Sequence, residues 1–172
     1  MNRFHAIFIA IIISASLTMA LYRPASLVVY KIKEPHFRCP IRKGFGGIAL
    51  RNDSRGSGEF GAKRRNGHSH TGIDILAPVD TPVYASKSGT AFCLNVPTGY
   101  GKYVMIYHPD GAQSIYAHLS AWNIPPVKNV KQGDIIGYVG KTGNAANRSM
   151  EPHLHFEIRV NGVPKNPHGL MR

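Results

Sequence analysis

The segment His153-Leu-His-Phe-Glu-Ile-Arg-Val160 alternates without a break between ionisable and apolar side chains. A strand points successive side chains to opposite faces. His153 and His155 therefore share one face, and Leu154, Phe156, Ile158 and Val160 share the other. Ser114-Ile-Tyr-Ala-His-Leu119 repeats the pattern, with Ser114, Tyr116 and His118 opposed to Ile115, Ala117 and Leu119. Other short strand patterns crowd the region from Gly72 onward, and Pro109-Asp-Gly111 and Asn161-Gly162 supply hairpin turns. The 18 glycines and 12 prolines fit a chain that turns often. No helical period appears outside the N-terminal run. The pattern predicts an all-β, small antiparallel β-sheet domain over roughly residues 37–172, with few or no helices.

The run Ala6 to Leu21 is apolar except for Ser14, Ser16 and Thr18. It falls short of the ~20 residues that span a bilayer comfortably, and Thr18 and Ala20 suit an A-x-A-like cleavage site. Residues 1–21 thus read as a signal peptide or an N-terminal membrane anchor, and the remainder as exported. Residues 22–59 read as an arm and a long loop. Within them Ser26 to Lys33 is a short strand or extended arm; the Gly-, Arg- and Ser-rich stretch from Lys43 to Gly67, which starts there and runs past residue 59, is functional or disordered. The run Lys63-Arg64-Arg65 reads as a solvated face. Residues 60–172 carry the candidate chemistry.

The formal net charge of +12 calls for an anionic partner. A nucleic acid is disfavoured, because no aromatic stripe accompanies the basic residues. Export leaves anionic cell-envelope polymers. It also permits a disulfide between Cys39 and Cys93, the only cysteines, which would contribute about 4 kcal/mol on the loop-entropy model. Two buried thiols are the alternative, and spacing does not choose between them.

His70-Thr-Gly-Ile-Asp74 pairs an imidazole with a carboxylate, and H-x-H occurs twice, at His68-Ser-His70 and His153-Leu-His155. Each motif alone arises easily by chance. Together they offer His70, Asp74 and His155 as three zinc ligands of N, O and N type. Three protein ligands are the number a catalytic zinc site uses. His153, two residues from a ligand, would stand beside the metal, and His118 would join from the neighbouring hairpin. His68 competes with His70 as a ligand. Asn66, Tyr116 and Arg148 are candidate substrate contacts, with packing the competing role for Tyr116. Trp122 reads as packing, and His36, His108 and His168 as exposed or structural. There is no G-x-S-x-G and no H-E-x-x-H. Gly140-Lys-Thr142 lacks the earlier glycine of a phosphate loop, since position 135 is Ile135. No carboxylates are paired as glycoside hydrolysis requires.

His70-Thr-Gly-Ile-Asp74, Tyr116-Ala-His118-Leu119 and Pro152-His-Leu-His155-Phe-Glu157, in this order, resemble the lysostaphin/LytM-type zinc metallopeptidases. Thr81-Pro-Val-Tyr-Ala85, Gly133-Asp-Ile-Ile-Gly137 and Asn166-Pro167 extend the likeness over about residues 60–168. The resemblance implies a small antiparallel β domain with a narrow groove over one Zn2+. It implies His70, Asp74 and His155 as ligands, and His118 and His153 as catalytic histidines. The implied substrate is a peptide bond in bacterial peptidoglycan. Some relatives lack ligands and only regulate or activate other wall hydrolases; such an activator module, working through a partner protein, is the alternative reading. All five positions are filled here, which favours an enzyme. The loop Asn144 to Glu151 is longer than in many relatives, so Asn147 and Arg148 are expected to affect substrate preference. No coiled coil or wall-binding domain is evident, and the positive charge is expected to serve for targeting instead.

Overall fold

The computed structural model describes residues 3–42, 47–64 and 67–172, in two units that divide after Pro35. The first unit contains a single helix, α1 (Arg3–Lys33). Its stretch Ile7–Lys33 is long and apolar enough to cross a membrane by length and composition. The Ser14 and Thr18 hydroxyls donate to the carbonyls of Ile11 and Ser14, so neither depends on outside partners. Ser26 to Lys33 is helical, not the expected strand or arm. Extending an existing helix adds a hydrogen bond for each residue fixed, and Lys31 and Lys33 sit in the last turn, where the helix dipole favours cations.

Among its described residues the second unit holds twelve strands. In chain order they are β1 (Asn52–Asp53), β2 (Gly56–Ser57), β3 (Ile73–Leu76), β4 (Pro82–Tyr84), β5 (Gly89–Asn95) and β6 (Lys102–Tyr107), then β7 (Ala112–Ala117), β8 (Leu119–Trp122), β9 (Val127–Val130), β10 (Ile135–Val139), β11 (His153–Val160) and β12 (Val163–Lys165). All the strand pairs are antiparallel. The largest sheet runs β12-β11-β7-β6-β5-β9, with β3 also on β11; β4, β10 and β8 form a second sheet, and β1 and β2 a two-stranded ribbon. The all-β expectation therefore describes this unit, whose described residues add two short 3₁₀ turns, Gly143–Ala146 and Pro167–Gly169, beside the strands.

Strand β11 is the keystone. Its N-terminal half pairs with β3 on one edge, and its residues from His155 to Val160 pair with β7 on the other. Leu154, Phe156 and Ile158 are fully buried and pack with Ile73, Ile75 and Ile106. Burying a side chain of this size contributes about 1.5–3 kcal/mol. The opposite face is covered as well, so His153, His155 and Glu157 are also buried.

The stretch from Lys43 to Gly67, among its described residues, is ordered by pairing. Leu50 bridges Ile75 and Lys63 bridges Ser69. Around Asp74 the loop supplies both backbone partners: Arg51 N–H donates to Asp74 O, and Asp74 N–H donates to Gly58 O. Upstream, Phe37 bridges Met171 and lies in the core. Cys39 and Cys93 are both thiols, and the Cys93 thiol donates to the carbonyl of Pro125.

The alternation expected through Leu119 fails at His118. Its φ of 64° is left-handed, a conformation that non-glycine residues adopt rarely and at functional sites disproportionately. The chain kinks there between β7 and β8. Tyr116 stays in the core while His118 turns away from it.

Candidate metal centre

Register brings the first ligand candidates together. His155 lies directly opposite Asp74 across β11 and β3, and His155 Nδ1 is 2.8 Å from Asp74 Oδ1. His70, on the turn entering β3, places Nε2 3.0 Å from the same oxygen and 2.9 Å from His155 Nδ1. His70 Nδ1–H donates to Glu59 O at 2.8 Å, which leaves a lone pair on the inward Nε2. On the far side of His155, Nε2 meets Glu157 Oε1 at 2.9 Å.

Three buried acceptor atoms facing one another need a positive charge between them. A proton is one solution. Burial opposes it, but the hydrogen bonds from Asp74 and Glu157 outweigh burial and raise His155 to about 9. A cation in place of that proton satisfies all three atoms at once. The donor set therefore fits a metal ion, and His70, Asp74 and His155 form a group able to hold one.

The second oxygen of Asp74 is held elsewhere. Arg51 donates to Oδ2 through Nε at 3.2 Å and Nη2 at 2.9 Å, and Arg64 Nη2 adds a third contact at 3.2 Å. Oδ1 alone is thereby presented to the imidazoles. Although burial works against it, the hydrogen bonds from His155 and His70 hold Asp74 far below the usual carboxylate range. Gly58 allows this close packing, because a Cβ there would stand 2.9 Å from both Arg51 O and Asp74 Cβ.

Two further imidazoles border the cluster, with ring centroids of His118 and His153 5.1 Å apart. His118 Nδ1–H donates to Thr142 O at 2.9 Å, and His153 Nδ1–H to Glu151 O at 2.6 Å. Each therefore turns a lone-pair Nε2 inward. Burial, then the neighbouring imidazoles, push His118 down to about 3. Burial also lowers His153. Both are neutral near pH 7. Behind His155, the fully buried Glu157 accepts from Thr71 Oγ1 at 2.5 Å, Tyr100 OH at 2.7 Å and Arg159 Nη2 at 2.7 Å.

His70, Asp74, His118, His153 and His155 line a groove with a cavity of about 290 Å³. Arg51, Arg55 and Arg64 form its basic wall, and Tyr100, Asn144 and Met150 also line it. Of the residues expected from sequence, His70, Asp74, His118, His153 and His155 come together here. Tyr116 does not: it is fully buried, and its hydroxyl accepts from Ser86 N–H at 2.8 Å. Arg148 is exposed and does not line the cavity, whereas Asn144 and Met150 of the same loop do. His68 is exposed and outside the cluster. Asn66 lies outside the described residues. Trp122 is partly exposed rather than packed in the core.

Sequence reasoning missed Arg51, Arg64 and Glu157 as supports of the cluster. Glu157 carries a usable signal, since it shares the strand face of His153 and His155. Arg64 is concealed inside a basic run that otherwise reads as solvated. Arg51 stands in a segment without periodicity, and only the pairing of the loop with β3 reveals it.

Fold and cluster together define an antiparallel β domain built around a groove whose floor could hold a metal ion. Residues 68–167 match the model of peptidase family M23, and the chain belongs to that family. It is 50% identical over 98 residues to the DD-carboxypeptidase/endopeptidase Mpg of Neisseria meningitidis, covering 57% of this chain and 22% of that protein. The chain thus spans about a fifth of that curated relative's length. The catalytic domain of lysostaphin from Staphylococcus simulans superposes with a TM-score of 0.58 at 33% identity, over 64% of this chain and 86% of that one. A zinc-containing peptidase from Vibrio cholerae gives a TM-score of 0.59 at 29% identity, over 76% and 38% of the respective chains.

Proposed function

We propose that this protein is an exported, zinc-dependent endopeptidase that hydrolyses peptide bonds in bacterial peptidoglycan. The observation that carries the reading is the convergence of His70 Nε2, Asp74 Oδ1 and His155 Nδ1 to within 3.0 Å, beside the two neutral imidazoles of His118 and His153. In this reading His70, Asp74 and His155 hold one Zn2+. Bound there, zinc supplies Lewis-acid chemistry that polarises a carbonyl and makes water nucleophilic near neutral pH.

The chain's own residues do the rest. Because Thr142 O and Glu151 O fix the Nδ1–H groups of His118 and His153, each Nε2 is an acceptor ready to take a proton from attacking water. Once protonated, the same nitrogen becomes a donor for the developing oxyanion or for the leaving amine. The preset tautomers remove the need for ring reorientation before reaction. The substrate assignment is supported by family membership and by relatives named as DD-carboxypeptidase/endopeptidase and peptidoglycan DD-endopeptidase.

Export is supported by the apolar Ile7–Lys33 stretch of α1, which acts as a signal or an anchor. The net charge of +12 favours adsorption to anionic envelope polymers. The test is incubation of the purified full chain with zinc and muropeptides of several cross-link types, read by mass spectrometry. Cleavage that stops on chelation and returns with zinc is expected. No cleavage of any substrate while zinc is bound would replace this reading with that of an activator of another wall hydrolase.

A further inference from the structure

A continuous path joins Asp74 to His153 through Arg51, Asp53 and the backbone of Glu151, the last two lying outside the groove lining. Arg51 is 2% exposed and donates to Asp74 Oδ2 at 2.9 Å. Its Nη1 donates to Asp53 Oδ1 at 2.6 Å. Asp53 Oδ2 accepts from Glu151 N–H at 3.2 Å, and the carbonyl of Glu151 accepts from His153 Nδ1–H at 2.6 Å. Asp53 Oδ1 also accepts from Arg55 N–H at 2.8 Å, which ties the carboxylate to the β1–β2 turn.

From this path we infer that Arg51 and Asp53 are positioning residues that set two groups of the site together. Arg51 fixes Asp74 so that one oxygen faces the imidazoles. Asp53 fixes the backbone at Glu151, and through it the tautomer and placement of His153. Asp53 does not line the cavity, so its effect runs through the Glu151 backbone. Arg51 suits the central place because a guanidinium presents several donors in a rigid plane and engages both carboxylates at once. A lysine ammonium lacks that fork. Supports of this kind typically change metal affinity or activity about 10- to 100-fold when altered.

The inference rests on the proposed zinc-peptidase reading for its kinetic consequences only; its spectroscopic and metal-binding consequences are independent of turnover. The experiment uses the full chain, with side-chain 15N NMR of the histidines at one fixed neutral pH, zinc titration against a competing chelator, and steady-state kinetics. In the parent, His153 is expected as the Nδ1–H tautomer. Asp53→Asn keeps the shape but places an amide N–H2 where a donor already points. It is expected to change the His153 nitrogen shifts and lower kcat about 10- to 100-fold at unchanged KM, with zinc affinity near the parent's. Arg51→Lys is expected to weaken zinc binding by a similar factor. An Nε2–H tautomer at His153 in the parent overturns the inference, and that measurement needs no variant to fold. So do parental His153 signals in Asp53→Asn, or parental zinc affinity in Arg51→Lys. A parent that binds zinc and shows the expected tautomer but cleaves nothing overturns the peptidase reading and leaves the positioning roles of Arg51 and Asp53 intact.

Discussion

Asp74 and His155 face each other across two antiparallel strands, and their Oδ1 and Nδ1 atoms lie 2.8 Å apart while Arg51 holds the other Asp74 oxygen. Removing this carboxylate affects two things at once. Asp74→Ala is expected to abolish stoichiometric zinc binding. It also strips the nearly buried Arg51 of one partner, and breaking a buried pair typically costs about 3–5 kcal/mol. Metal analysis and urea denaturation of the metal-free protein check both parts.

His118 separates catalysis from backbone strain. His118→Ala and His118→Gly are both expected to retain zinc and to lose at least ~100-fold in kcat, since a positioned proton carrier is gone. They differ in stability. The left-handed φ of 64° suits glycine, so the glycine variant is expected to be about 1 kcal/mol more stable than the alanine variant. Equal denaturation midpoints would refute the strain argument.

Glu157 anchors the outward nitrogen of His155. Glu157→Gln preserves volume but sets an amide donor among the donors of Thr71, Tyr100 and Arg159. A rise in the zinc dissociation constant of about 10- to 100-fold is expected by chelator competition.

Gly58 lies against Asp74, and the Cβ of Gly58→Ala would meet backbone and side-chain atoms at 2.9 Å. The loop must move away from β3, at a cost of about 1–3 kcal/mol. Thermal denaturation is expected to show that loss, together with weaker zinc binding, because the Arg51 contact moves with the loop.

The charge of +12 predicts salt-sensitive activity on whole sacculi. Hydrolysis of sacculi should fall as ionic strength rises, while hydrolysis of a small uncharged peptide substrate stays nearly level. Parallel declines would place the salt effect in the site rather than in adsorption.

Period-two patterning makes β11 legible from its residues, and with it His153, His155 and the apolar face beneath them. His70 and Asp74 follow from motif order. Tyr116 misleads because strict alternation assigns it the face of His118, whereas the left-handed residue breaks that alternation. Arg51 and Asp53 are illegible for a different reason. Their segment has no period, and its order comes from pairing with β3 more than twenty residues away. The helical state of Ser26 to Lys33 escapes local strand propensity because propagation along α1 overrides it.

The pairing of His155 with Asp74 joins positions 81 apart in sequence, and that with His70 joins positions 85 apart. Contacts this distant form only after costly loop closure. A chain crossing a membrane N-terminus first would present His70 and Asp74 on the far side well before His155 arrived. Metal capture would then await β11, and the completed cluster would form only at its destination.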